Sequence, residues 1–247
     1  MELFYTPAEK ISLDDETLVI DGDEFHHLVR VLRKKEGERI LVTDGHGFRS
    51  EVLISVIGKT SLQCRMLSHA HVDRPATSVT VALSLLKAPQ RFELFLEKAT
   101  ELGVTSIIPM ITARTLSQLS LDRAESKLNR WRTIMLSAAR QSKRLYLPEL
   151  CEPLSFSKVI ALKGYDLKLI PYEGSEVPPG VQYAGKKTLF VIGGEGGFTA
   201  SEIQNAGAAG FCAISLGKTT LRAETAGIFA IACVRAELLA EESIQWL

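Results

Sequence analysis

The apolar positions of this chain follow two rhythms, and the change falls near residue 72. Before it, alternating apolar and polar positions predict strands over 17–20, 39–43, 48–57 and 61–67. The breaks between the last three, Asp44-Gly45-His46-Gly47 and Gly58-Lys59-Thr60, are of the hairpin type. A short helix is predicted from about Asp23. There Phe25, Leu28, Val29 and Leu32 share one face, and Asp23 and Glu24 suit the positive end of a helix dipole. Closely spaced strands with tight turns predict a small β-barrel over residues 1–72, and residues 70–77 (AHVDRPAT) read as its linker.

Beyond the linker, strands alternate with helices. Strands are predicted over 78–86, 105–110, 166–171, 188–192 and 211–216. Phe92, Phe95, Leu96, Ala99 and Leu102 keep helical spacing up to Gly103, which stands where a left-handed cap belongs. Leu128, Trp131, Met135 and Ala138 form the apolar stripe of a long basic helix. Thr199-Ala200-Ser201-Glu202 has the form of a capping box, and residues 223–241 predict a closing helix. This order predicts an α/β domain over 73–247, with a mainly parallel sheet covered on both faces.

Composition narrows the class. Apolar residues make up 46% and charged residues 23% of the 247, enough to bury a sizeable core, and that excludes wholesale disorder. The longest apolar stretches, such as 189–192, are far too short to cross a bilayer, and the N-terminal Met1-Glu2-Leu3-Phe4-Tyr5 does not read as a signal or transit peptide. The expectation is a cytoplasmic protein without a membrane partner. Cys64, Cys151, Cys212 and Cys233 form no CxxC pair, and all five histidines lie within the first 71 residues. That argues against a Cys-His or Ser-His-Asp mechanism later in the chain. His69 and His71 lack a third ligand of fitting spacing, so no metal is expected. Formal net charge is zero, yet residues 113–148 hold eight Lys and Arg against two acids, Asp122 and Glu125. Such a segment is either a solvated helix face or a footprint for phosphates.

Two loops carry the candidate chemistry, both at the C-terminal ends of predicted strands, where open α/β sheets bind ligands. In Gly193-Gly194-Glu195-Gly196-Gly197, four glycines let the backbone approach a ligand closely and surround a single carboxylate. The second loop runs Leu216-Gly217-Lys218-Thr219-Thr220-Leu221-Arg222-Ala223-Glu224-Thr225. It fails as a P-loop, because position 212, where a Walker glycine belongs, is Cys212. Nor does the glycine run fit GxGxxG. What remains is two loops from neighbouring strands able to enclose something flat and polar. Arg222 at a helix start opposes the dipole, which points it at a ligand; Glu224 there is ordinary dipole complementarity.

These motifs, with Arg30-Val31-Leu32-Arg33, Arg91, Glu97 through Val104, Arg130-Trp131 and Ala139-Arg140-Gln141-Ser142, resemble the RsmE family over essentially the whole chain. That family comprises the 16S ribosomal RNA uracil-N3 methyltransferases of the SPOUT class. The resemblance implies a PUA-like RNA-binding β-barrel followed by a SPOUT α/β domain whose last segment threads a trefoil knot. It also implies a homodimer and S-adenosyl-L-methionine as cofactor, with 16S rRNA in the small ribosomal subunit as substrate. On it, Ile170, Pro171, Ile192, Gly193, Gly194, Glu195, Gly196 and Gly197 belong to the cofactor site, as do Leu216, Gly217, Leu221, Arg222 and Thr225. Arg30, Arg33, Arg91, Arg140 and Arg144 become the RNA contacts, and Arg222 and Glu195 the catalytic candidates. Arg222 would stabilise charge on the uracil ring. Glu195 would act as base, serve the cofactor or hold Arg222. The chain departs from the family in three places: Gly194 replaces a usual Pro, Lys218-Thr219 a usual Pro-Arg, and Lys143 a frequent Gly. A non-catalytic RNA-binding or ribosome-assembly factor, and a SPOUT methyltransferase acting on another RNA, are the competing readings.

Overall fold

The computed structural model describes residues 2–115, 121–178 and 180–244, and of their side chains all but those of 121–124 and 241–244. Met1 and the side chains of Asp122 and Arg123, which entered the sequence reading, lie outside the described residues. The chain divides into two compact units. One runs through Arg74 and includes Leu136–Leu147; the other comprises Pro75–Met135 and the chain from Pro148 on.

The first unit is a six-stranded sheet built from β1 (Leu3–Tyr5), β2 (Ile11–Ser12), β3 (Thr17–Asp21), β4 (Arg39–Thr43), β5 (Phe48–Ile57) and β6 (Ser61–His71). Its order is β1-β4-β5-β6-β3-β2, with β1 parallel to β4 and every other pair antiparallel. Alternation does the sorting: Ile40, Val42, Val52, Ile54, Leu62 and Cys64 turn into one core with Phe4, Leu18 and Ile20. The small barrel expected from the sequence takes the form of a half-barrel. No ladder joins β1 to β2 among the described residues, and the Thr6 hydroxyl instead donates to the Val19 carbonyl at 2.6 Å. The helix predicted from Asp23 is a short α1 (Gly22–His26) that widens into a π turn over His27–Val31.

Residues 136–147 join this unit through contacts that no linear pattern shows. Arg140 donates to the buried Glu24 carboxylate. Gly47 N–H donates to the Leu145 carbonyl at 3.0 Å, and Leu147 N–H to the Gly45 carbonyl at 2.9 Å. A Cβ on Gly47 would overlap the Tyr146 hydroxyl and the Val72 carbonyl. The glycines read as a hairpin break are therefore also the seat of a distant segment.

The second unit holds β7 (Ser78–Ser84), α2 (Pro89–Leu102), β8 (Ser106–Ile111), β9 (Glu149–Leu150), β10 (Leu154–Ser155) and α4 (Phe156–Ile160). It continues with β11 (Leu167–Pro171), β12 (Lys187–Ile192), α5 (Ala200–Ala208), β13 (Cys212–Ile214) and α6 (Ala223–Ile244). Helix α3 (Leu121–Gln141) begins in this unit. Every ladder is parallel, in the order β10-β8-β7-β12-β11-β13, with β9 also on β8. Both faces are covered. Phe190 and Ile192 face Phe92, Phe95, Trp131 and Ile231 of α2, α3 and α6, whereas Leu189 and Val191 face Phe156, Val159, Ala206 and Phe211. The described helices include none long and apolar enough to cross a membrane.

Burial sets a pH limit on this fold. It pushes the Cys64 thiol up to about 12 from 9.0 and the Tyr183 phenol up to about 12 from 10.0. The folded chain holds these protons where the unfolded chain releases them. Their stabilising effect is therefore complete below about pH 9 and is lost as pH rises towards 12. The melting temperature should fall between pH 9 and 11, and less steeply in Cys64→Ala, whatever that variant's constant cost. Equal slopes for the two proteins would contradict this assignment.

Candidate active site

The C-terminal ends of β11, β12 and β13 open onto one cavity of about 430 Å³. This is within the usual size of small-molecule sites. Three segments wall it: Pro171 at the end of β11 with residues 172–173 after it, 193–198 after β12 and 215–222 after β13, with the first residues of α6. The sequence reading placed two loops on neighbouring strands. In the fold β11 lies between β12 and β13, and its last residue Pro171 lines the cavity together with Tyr172 and Glu173 of the loop that follows.

The glycine loop has reasons for its composition. Gly197 sits at φ +63° and donates to the Gly194 carbonyl at 3.0 Å, closing a turn that an L side chain would strain. Gly194 lies against β7, where an added Cβ would stand 3.0 Å from the Ser84 hydroxyl. Immediately after the loop, α5 starts on a complete capping box. Thr199 Oγ1 accepts from Glu202 N–H at 3.1 Å, and Glu202 accepts from Thr199 N–H at 2.8 Å.

Charged groups gather at one side of the cavity. Arg91, in the first turn of α2, lies between two carboxylates: its NH1 is 4.0 Å from Glu195 and its Nε 3.8 Å from Glu224. Glu195 also accepts the Lys87 N–H at 3.1 Å, so this acid sits against the start of α2. Among the described interactions its partners are Lys87 and Arg91 rather than Arg222. Arg222 is the residue just before α6; its carbonyl accepts the Ala226 N–H at 2.8 Å and its side chain is exposed. The carbonyl of Arg222 thus takes the first hydrogen bond of α6, and its side chain lines the cavity.

The structure brings together Pro171, Ile192, Gly193, Gly194, Glu195, Gly196 and Gly197 with Leu216, Gly217, Leu221 and Arg222 around this cavity, and adds Arg91, read from the sequence as an RNA contact. Two cofactor candidates lie elsewhere. Ile170 is 1% exposed in the core beneath, its side chain alternating away from Pro171, and Thr225 is exposed outside the lining. Arg30 and Arg33 are exposed in the first unit, on the π turn and just after it, with Arg33 at φ +53°. Arg140 is engaged by Glu24, and Arg144 follows α3 in the same unit. The sequence reading missed Glu224, 5% exposed against Arg91, because an acid in a helix's first turn carries no sign of burial. It also missed Tyr172, Glu173 and Lys218 as lining.

The arrangement suits a small zwitterionic ligand. Bare backbone and the apolar edges of Ile192, Leu216, Leu221 and Phe198 accept a flat ring, while carboxylates and cations stand ready for charged ends. Comparison with known proteins agrees. Residues 73–235 match the model of the RNA methyltransferase domain, and residues 20–67 that of the RNA methyltransferase PUA domain. The ribosomal RNA small subunit methyltransferase E of Bacillus subtilis is 27% identical over 245 residues, covering 95% of this chain and 96% of the relative. That of Mycobacterium tuberculosis is 33% identical over 224 residues, covering 87% and 85%. Among solved structures, a ribosomal RNA small subunit methyltransferase E from Neisseria gonorrhoeae bound to S-adenosyl methionine matches with a TM-score of 0.85 at 30% identity, covering 96% of this chain and 97% of that one. A methyltransferase from Legionella pneumophila in complex with the same cofactor matches at 0.83 and 28%, covering 95% and 96%.

Proposed function

Because this chain belongs to the ribosomal RNA small subunit methyltransferase E family, we propose that it transfers a methyl group from S-adenosylmethionine to N3 of a uridine in 16S ribosomal RNA. The observation that carries the reading is the cavity itself: one lining brings together the glycine loop, Arg222, and Arg91 with the carboxylates of Glu195 and Glu224. The cofactor, when bound, supplies a methyl group already activated on a sulfonium. This chain's residues have the remaining work. The loops at Gly193 to Gly197 and at Leu216 to Leu221 offer backbone groups to hold adenine and ribose. Glu173 and Glu224 supply the negative charge that a cationic ligand needs.

Uracil N3 carries a proton and becomes nucleophilic only as that proton leaves, which places negative charge on the ring and its carbonyls. Arg222 is the cation in this reading that stabilises that charge. Glu195 is the candidate acceptor of the proton, and its hold on Lys87 and Arg91 equally supports a positioning role. Arg30, Arg33 and Arg144 are proposed to hold RNA phosphates, with Arg140 placing the end of α3 through Glu24. The target base is unstacked to reach the methyl. A homodimer working on small ribosomal subunits in the cytoplasm completes the proposal, as does a C-terminal segment threaded as a knot.

Unmodified small subunits incubated with protein and labelled S-adenosylmethionine, then digested to nucleosides, should yield 3-methyluridine by mass spectrometry. No methylated nucleoside from subunits, free ribosomal RNA or transfer RNA would leave an RNA-binding factor as the better reading.

A further inference from the structure

The turn after β8, residues 112–115, lines no part of the cavity, yet each of its residues is fixed. Thr112 N–H donates to Thr115 Oγ1 at 2.8 Å, and the two hydroxyls lie 2.9 Å apart. The Thr115 hydroxyl is also 2.9 Å from that of Ser84, the residue beneath Gly194. Ala113 N–H donates to Glu202 Oε1 at 2.9 Å, the same carboxylate that closes the α5 capping box. Arg114 then reaches outward, and its NH1 donates to the Gly196 carbonyl at 2.7 Å. Parallel pairing explains the proximity: Met110 lies beside Ser84 and Leu83 beside Ile192, so the chain ends of β8, β7 and β12 emerge side by side.

We propose that Arg114 is a positioning residue that holds the Gly193–Gly197 loop in its cofactor-binding shape through the carbonyl of Gly196. The inference rests on the cofactor reading given above. Four glycines in five residues make this loop conformationally free, and a Pro that would stiffen it is absent at Gly194. Two clamps restrict it instead. Lys87 N–H and Arg91 hold the Glu195 side chain, and Arg114 holds the next residue's carbonyl. A loop that leaves its binding shape lowers apparent affinity in proportion to the time spent away. A charge-assisted bond from a rigid turn is the kind of contact that prevents this.

Two measurements decide the matter. Calorimetric titration of S-adenosylmethionine should give Arg114→Ala a Kd roughly tenfold above wild type, the scale of one hydrogen bond to a charged group at an exposed site. Arg114→Lys, which keeps a donor of the same charge, should lie within about threefold of wild type. Hydrogen exchange on the cofactor-free protein should speed up over 193–198 in Arg114→Ala while α5 stays protected as in wild type, which reports on the loop without the cofactor. Unchanged affinity and unchanged loop exchange in Arg114→Ala would overturn the proposal, as would an α5 that loosens to the same degree. If wild type itself takes up no S-adenosylmethionine, the cofactor reading fails, and the exchange result alone decides whether Arg114 holds the loop.

Discussion

Replacing Arg222 with alanine should lower the rate of methyl transfer by roughly 10²–10³-fold, the usual loss when one fixed charge-stabilising donor is removed from an active site. The cofactor's Kd should change by no more than a few-fold. The expectation follows from what each part of Arg222 does. Its carbonyl accepts the Ala226 N–H and so starts α6, a function that alanine retains. Its guanidinium is exposed at the rim of the cavity and lies at the positive end of a helix, where a cation opposes the dipole. Removing it should leave the melting temperature unchanged or slightly raised. A purely structural arginine would behave in the opposite way, so the two readouts together separate catalysis from folding. Arg222→Lys keeps the charge without the planar fork and should recover part of the rate. A loss smaller than tenfold in Arg222→Ala, or one matched by lost cofactor binding, would remove Arg222 from the chemical step.

That expectation was within reach of the sequence because Arg222 stands out locally, as a cation at a helix start. The same holds for other features set by local pattern. Gly103 caps α2 at φ +89°, and Thr199 and Glu202 form the capping box. Leu128, Trp131, Met135 and Ala138 are all buried at helical spacing. What the sequence hid depends on segments meeting from a distance. Strand β1 is three residues long and finds its partner in β4, where Leu3 lies beside Leu41; no periodicity announces so short a strand. Residues 136–141 continue, without a local break, a helix that begins in the second unit, yet the contacts of 136–147 with Glu24, Gly45 and Gly47 assign this segment to the first. Glu224 could be recognised as a buried site carboxylate only once α2 was seen to bring Arg91 against it. Ile170 errs the other way. It adjoins a true lining residue, but the alternation of a strand turns neighbours to opposite sides.

Substituting valine at Gly227 should test how the packing of α2 on α6 maintains that carboxylate cluster. Arg91 and Phe95 are one turn apart on α2, and Glu224 and Gly227 are nearly one turn apart on α6, so each pair shares a face. The two faces meet twice: Arg91 with Glu224, and Phe95 with Gly227. A Cβ on Gly227 would stand 2.7 Å from Phe95 Cε2 and 3.0 Å from Cδ2. The ring cannot retreat, because Phe95 is 0% exposed and packs beside Phe92, which in turn packs on Trp131 at 4.6 Å between centroids. The helices must separate instead. Overpacking of this kind costs about 1–3 kcal/mol and outweighs the small gain in helix propensity over glycine. For a chain of this length the melting temperature should drop by roughly 3–10 °C. Separation would also draw Glu224 away from Arg91, so cofactor affinity should weaken along with stability. Gly207 in α5 supplies the contrast: an added Cβ there meets nothing within 4 Å, so Gly207→Ala should stabilise by about 0.5 kcal/mol through helix propensity alone. Shifts of the same sign for both variants would mean that the Phe95 contact relaxes freely. The spacing of α2 and α6 would then not be what sets the position of Glu224.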